Sequence, residues 1–293
     1  LCSLQKGTVR YIQEANVFKK FGKLTVLASA LLAASVASAQ YQKGPDPTAS
    51  GLERNGSFST TSASVSGASG FGGGRLYYPT STTSGTFGAI VLCPGFTAGA
   101  SSLAWLGPRL ASHGFVVLII DTNSRLDQPS ARARQLKAAA DWLTDSSSVR
   151  TRIDADRVAL GGHSMGGGGT LEALRDNPTA FKAGVPLAPW NLIKSFSSLR
   201  VPTLIIGGSA DSVAPDNQHS IPFYTSIPAS TPKVFVEING ASHLFPNTTN
   251  AVVSRYAISW YKRWVDEDTR YSQFINATPT GMQIGDIRRG GTY

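Results

Sequence analysis

The chain has 293 residues, 41% of them hydrophobic and 15% charged. That is enough apolar material for a large buried core, and it excludes charge-driven disorder as a description of the whole. Cys2 and Cys93 are the two cysteines, too few for a disulfide framework or a thiolate-only metal site. The formal charge of +9 is shared unevenly: residues 1–39 carry a net +4 and the remaining chain only +5. No Lys/Arg run reads as a nucleic-acid patch, so no nucleic-acid partner is expected.

At the N-terminus Lys19, Lys20 and Lys23 precede an apolar run, Leu24–Ala34, and then Ala37-Ser38-Ala39. This order of charge, apolar run and small-x-small site is that of a secretory leader. Residues 1–39 are therefore expected to be a signal peptide, with residues 1–18 readable as an upstream extension, and the mature chain to be extracellular or periplasmic. The apolar run falls short of the ~20 residues that span a bilayer, so no integral span is expected. The plainer alternative is a buried N-terminal helix.

Residues 40–293 are expected to form one domain. The stretch 44–70 is rich in Gly, Pro, Ser and Thr, and the alternation through Phe58–Thr61 suggests an edge strand. Arg75–Pro79 reads as another strand, closed by proline. Short continuous apolar runs follow at Ala89–Cys93, Phe115–Asp121, Val158–Gly161, Ala183–Leu187, Thr203–Gly207 and Val234–Ile238. Such runs suit parallel strands buried on both faces. Helix-like segments lie between them: Leu103–His113, Ser130–Leu143, Met165–Arg175 and Thr249–Val265. The alternation predicts an α/β fold, a mostly parallel twisted sheet with helices on both faces.

The most informative segment is Val158–Gly169, which carries Gly162-x-Ser164-x-Gly166 between a predicted strand and a predicted helix. That is the setting of a nucleophile elbow, in which a serine sits on a strained turn that leaves no room for side chains two residues to either side. A phosphate loop would need Lys-Ser or Lys-Thr after the last glycine, and Gly169 is followed by Thr170-Leu171; no register supplies a dinucleotide fingerprint either. A serine of this kind needs a base and an acid downstream, in the order Ser, acid, His. His243 follows a predicted strand on a loop and is the candidate base. His219, in a Pro- and Asn-containing loop, reads as a pocket wall, and His113 before Gly114 as a helix C-cap. Asp211 is the candidate acid; Asp216 is the runner-up, though it looks placed to start a helix. Cys93 terminates a buried strand and reads as core.

Taken together, Pro94-Gly95-Phe96, Gly162–Gly168, Pro189-Trp190, Gly208–Pro215, Ala241-Ser242-His243 and Trp264–Tyr271 resemble bacterial cutinases. These are the polyester-hydrolase family of the α/β-hydrolases that includes the poly(ethylene terephthalate) hydrolases. The likeness runs from about Asn55 to the C-terminus. It implies the α/β-hydrolase fold and ester hydrolysis through Ser164 as nucleophile, His243 as base and Asp211 as its orienter, with an oxyanion hole from the backbone N–H groups of Phe96 and Met165. It further implies a substrate cleft drawn from Phe96, Thr97, His163, Met165, Trp190, Val213, His219, Leu244 and Asn247. Trp190 would be an aromatic wall with His219 packed beneath it.

The resemblance implies a polyester or small ester substrate; the two-step hydrolysis needs no cofactor, and a monomer is expected. Some relatives bind calcium, for which Asp266, Glu267 and Asp268 are candidates beside the plainer reading as a solvated helix end. A short-chain carboxylesterase or lipase without polymer activity would share the same catalytic residues, and a noncatalytic module on this scaffold would normally lack one of them. Two departures stand out. Relatives usually carry a C-terminal disulfide, but Phe274–Ala277 and Arg288–Tyr293 hold no cysteine, so modest thermostability is expected. Leu244 directly follows the candidate base, where a branched side chain would narrow the cleft. Between Leu187 and Val201 there is little room for the helical lid common in lipases.

Overall fold

A computed structural model describes residues 41–277, 281 and 283–291. The expected leader, residues 1–39 with Cys2, lies outside the described residues. The chain divides into two units, Leu1–Gln42 and Lys43–Tyr293. Only Tyr41 and Gln42 of the first are described. Every strand and helix of the described residues belongs to the second.

A nine-stranded sheet organises this unit: β1 (Thr60–Val65), β2 (Gly74–Pro79), β3 (Phe87–Cys93), β4 (Phe115–Ile120), β5 (Ile153–His163), β6 (Ala183–Leu187), β7 (Thr203–Gly208), β8 (Lys233–Ile238) and β9 (Ile284–Gly290). The spatial order is β1-β2-β4-β3-β5-β6-β7-β8-β9. Strands β3 to β8 run parallel, while β1, β2 and β9 pair antiparallel at the sheet's two ends. Each predicted apolar run is one of the parallel strands. They read as continuous rather than alternating because helices cover both faces.

The helices are α1 (Leu106–Ser112), α2 (Pro129–Asp145), α3 (Met165–Asp176), α4 (Ser220–Ser226), α5 (Ala251–Trp264) and α6 (Ser272–Asn276). Strand periodicity sorts them into layers. Ile90 and Leu92 of β3 point into a core with Leu106 and Leu110 of α1 and the apolar stripe of α5. Ala89, Val91 and Cys93 point the other way, into a core with Leu136 of α2, Leu174 of α3 and Phe223 of α4. The stripe expected on the last long helix is present: Val253, Tyr256, Ile258 and Trp260 are buried, and Trp264 is half-buried against them.

Three elements have no counterpart among the sequence expectations: α4, α6 and β9. Residues 188–202 contain neither helix nor strand, so no lid is built there.

Two acids of the triplet considered for calcium, Asp266 and Asp268, are buried in ion pairs, so they are not a solvated helix end either. Asp266 is fully buried, bridged by Lys262 Nζ at 2.7 Å and Arg157 Nη1 at 2.7 Å. Asp268 is buried and held by Arg270 at 2.6 Å, while Glu267 is exposed. Among the described residues, no group of three His, Cys, Asp or Glu side chains is placed to hold a metal.

Candidate active site

In a parallel sheet all strand C-termini lie on one edge, and that edge is where a site can be assembled. β5 is the longest strand, eleven residues, and delivers Ser164 at its end. Ser164 has φ 55° and ψ −121°, a conformation glycine adopts freely and an L-residue does not. Three backbone bonds hold it there: Ser164 N–H donates to Leu187 O, and Ser164 O accepts from Gly168 N–H and Trp190 N–H.

The flanking glycines are required by contact. A Cβ at Gly166 would lie 2.2 Å from Cys93 O, and one at Gly168 would lie 2.1 Å from Trp190 O. These glycines cost α3 helix propensity and let β3, the β6 loop and α3 close around the serine.

Residues far apart in sequence meet here. His243 Nε2 is 2.8 Å from Ser164 Oγ, and His243 Nδ1 is 2.7 Å from Asp211 Oδ2. Asp211 Oδ1 accepts from the backbone N–H groups of Val213 at 2.8 Å and Ala214 at 2.7 Å. Burial alone would raise the Asp211 carboxyl. The His243 hydrogen bond and the two backbone donors outweigh it and hold the group below the usual carboxylate range. Asp211 is thus favoured in its ionised form, and it holds His243 with Nε2 facing Ser164 Oγ.

The other cleft residues fall around this line. His163 Nε2–H donates to His243 O at 2.9 Å, and the two rings lie 4.8 Å apart. Burial, then the neighbouring His243, lowers His163 to about 4. It stays neutral, so no second cation opposes charge on His243 during turnover.

Gly95 packs against Ser164, a Cβ there coming within 3.1 Å of Ser164 Cβ, and Phe96 follows it. Met165 N–H belongs to the first turn of α3, where no intrahelical acceptor exists. Among the described residues, Phe96 N–H has no protein acceptor. Met165 N–H thus directly follows the serine and Phe96 N–H follows the glycine that packs on it; these are the two donors that the sequence resemblance assigns to a developing oxyanion.

Thr97 adopts φ 60°, with its hydroxyl turned onto Phe96 O. Trp190 stacks on His219, centroids 5.8 Å apart and planes 28° from parallel. His219 Nδ1 accepts from Lys194 Nζ at 3.0 Å, and burial, then Lys194, lowers the ring to about 4. Val213 and Leu244 are exposed beside Asp211 and His243. Asn247 lies three residues past Leu244 on the same loop, half-buried, at the end of the Phe245–Asn247 turn.

Two alternatives are settled by place. Asp216 does not start a helix: α4 begins at Ser220 with His219 as its cap. Asp216 is buried, with both oxygens short of a hydrogen-bond partner. Cys93 is fully buried and its thiol is pushed up to about 11, mainly by burial, which removes it as a nucleophile. His113 occupies the C-cap of α1, as expected.

Sequence reasoning missed Arg132. It sits on α2 in a segment that reads as surface, yet it is fully buried. Its guanidinium donates to Asp127 O at 2.7 Å, Pro94 O at 3.0 Å and Arg125 O at 2.9 Å. It pins the loops after β3 and β4, including the one that leads to Phe96. Arg132→Met would strand these carbonyls, and a loss of ~2 kcal/mol is expected; the urea midpoint measures it.

A family model described as PET hydrolase-like matches residues 35–289. The chain is 54% identical to "Bis(hydroxyethyl) terephthalate hydrolase" of Streptomyces coelicolor over 249 residues, 84% of this chain and 80% of that protein. It is 55% identical to "Cutinase est1" of Thermobifida alba, covering 84% of each chain. With "Cutinase cut1" of Thermobifida fusca it shares 50% identity over 89% of this chain and 83% of the relative. A match of this extent, over a sheet and elbow of this form, leaves one assignment: the chain belongs to the PET hydrolase-like family of α/β-hydrolases.

Proposed function

We propose that the protein is a secreted serine carboxylic-ester hydrolase that cleaves polyesters, acting as a monomer and without a cofactor. The observation that carries this is the unbroken line Asp211–His243–Ser164, at 2.7 and 2.8 Å. In the reading it supports, His243 Nε2 takes the Ser164 proton as Oγ attacks the ester carbonyl. Asp211 keeps the proton on Nδ1 and stabilises the imidazolium. The oxyanion is received by the N–H groups of Phe96 and Met165, each worth ~10²–10³ in turnover. The alcohol leaves with the proton from His243, and water then releases the acid from the acyl-enzyme by the same steps.

The substrate class rests on access together with the relatives. Names of similar proteins specify cutinases and a terephthalate-ester hydrolase. Here the segment 188–202 builds no helix over the serine, and a polymer chain can be cleaved only if it lies across an uncovered site. Trp190 on its His219 base offers a flat face for an aromatic diacid.

Amorphous poly(ethylene terephthalate) film incubated with the enzyme should release soluble terephthalate esters, with Ser164→Ala as blank. Hydrolysis of short acyl esters without release from either that film or cutin would refute the polymer reading. An uncovered serine also predicts no interfacial activation. The rate should rise smoothly through the solubility limit of a short triglyceride, and a jump there would contradict it.

A further inference from the structure

Six large hydrophobic residues are exposed among the described residues: Phe96, Leu126, Leu192, Ile193, Val213 and Leu244. Their places in the chain are not scattered. Phe96 lies on the loop after β3, Leu126 after β4, Leu192 and Ile193 after β6, Val213 after β7 and Leu244 after β8. These are all parallel strands, so all six emerge from the sheet edge that carries Ser164. Phe96, Val213 and Leu244 border the serine line itself. Leu126, Leu192 and Ile193 have no part in it, yet they are 62%, 75% and 40% exposed.

Those three are displayed on fixed backbone. Arg125 O, directly before Leu126, is held by Arg132 and by Thr97 N–H at 2.9 Å each. Asn191, directly before Leu192, is buried; its amide donates to Glu172 Oε1 at 2.7 Å and its Oδ1 accepts from Ile193 N–H at 2.9 Å. A buried polar anchor therefore stands behind each apolar tip. An anchored loop keeps its leucine in water, where apolar exposure is unfavourable unless another surface covers it.

Charge points to the kind of surface. The exposed carboxylates Asp46, Asp141, Asp145, Asp156, Asp176 and Glu267 all lie away from these loops. The acids that do lie on them are taken up: Asp121 by Ala100 N–H, Asp127 by Ser124 N–H and Gln135, Asp211 by His243, and Asp216 by burial. The edge presents apolar tips without exposed carboxylates, and the exposed charges beside those tips are the cations Arg125 and Lys194, which suits a poorly hydrated solid that is uncharged or weakly anionic, as a polyester with free acid chain ends is.

We infer that Leu126 on one loop and Leu192-Ile193 on another form two landing points that hold the enzyme on the face of a solid polyester, separately from the cleft that binds the scissile ester. The identity of the solid rests on the polyester reading of the site. Because the landing points are apart from the catalytic line, adsorption and chemistry should be separable.

The test uses Leu126→Ser, the pair Leu192→Ser/Ile193→Ser, and the triple combination, each in the full chain. Binding isotherms on amorphous polyester film are measured in the Ser164→Ala background, so that the film is not eroded. The triple variant should adsorb about tenfold more weakly, and with Ser164 restored its film hydrolysis should fall in parallel. Its kcat/KM on a soluble p-nitrophenyl ester should stay within about twofold of the parent. Unchanged adsorption would overturn the inference. So would a parent that sediments as a dimer and a triple variant that is monomeric, which would make the surface a self-interface. A parent that adsorbs through these residues but releases nothing from the film upholds the landing surface and refutes the substrate reading.

Discussion

Ser164→Ala is expected to lower kcat on a soluble ester by about 10⁶-fold while leaving the fold intact, as for other serines that act as one unit with a histidine. The prediction rests on geometry: the hydroxyl is the group 2.8 Å from His243 Nε2, and the buried Cys93 thiol cannot replace it. What remains would come from the free N–H groups of Phe96 and Met165 and from binding. A second substitution separates chemistry from strain. At φ 55° and ψ −121°, alanine is as strained as serine, whereas glycine is relaxed. Ser164→Gly should be equally inactive but more stable than Ser164→Ala by ~1 kcal/mol. Equal urea midpoints would show that the turn stores no strain. Activity in Ser164→Ala beyond trace contamination would remove Ser164 from its role.

Why this much was legible in sequence, and the rest not, comes from the physics of each element. The parallel strands announce themselves because burial on both faces forbids polar residues, as in Phe115–Ile120. The elbow does so because Gly162 and Gly166 are sterically required. With four histidines in the chain, the downstream order left His243 facing few rivals.

The missed elements lack those constraints. β9 is an edge strand of sequence IGDIRRG, half-buried, in which Asp286, Arg288 and Arg289 interrupt any apolar run or alternation. α4 is seven residues long and contains Pro222, so it carries no helical period. Arg132 and Asn191 were invisible for another reason. Their importance lies in carbonyls and amides contributed by distant loops, and a sequence records which side chain is polar but not which backbone groups it will meet.

Asp216 carries the second large effect, and it concerns pH. The carboxyl is buried against Gly207 of β7, with Ser220 and Glu237 as polar neighbours, on the loop that links Asp211 to His219. Burial first, then the charges of Glu237 and Asp211, push it up to about 7 from an ordinary 3.8. Linkage gives the sign. Between about pH 4 and 7 the folded chain keeps a proton here that the unfolded chain has released, so stability falls as pH rises through that window and levels off above it. The full fall is at most ~4 kcal/mol, from a shift of about three pH units at 1.36 kcal/mol each.

Asp216→Asn keeps the shape without the charge. It should flatten this slope and raise the urea midpoint at pH 8 more than at pH 5. A variant that gains equally at both values would place the effect in packing rather than ionisation. The consequence for function is local: above this window the ionised Asp216 weakens the loop that carries Asp211, the partner of His243. Removing that carboxylate should therefore extend the enzyme's working lifetime on the alkaline side without altering its chemistry, since Asp216 touches neither Ser164 nor His243 among the described contacts. Half-lives of parent and variant at pH 8, with initial rates measured alongside, would show the lifetime lengthen while the rate holds.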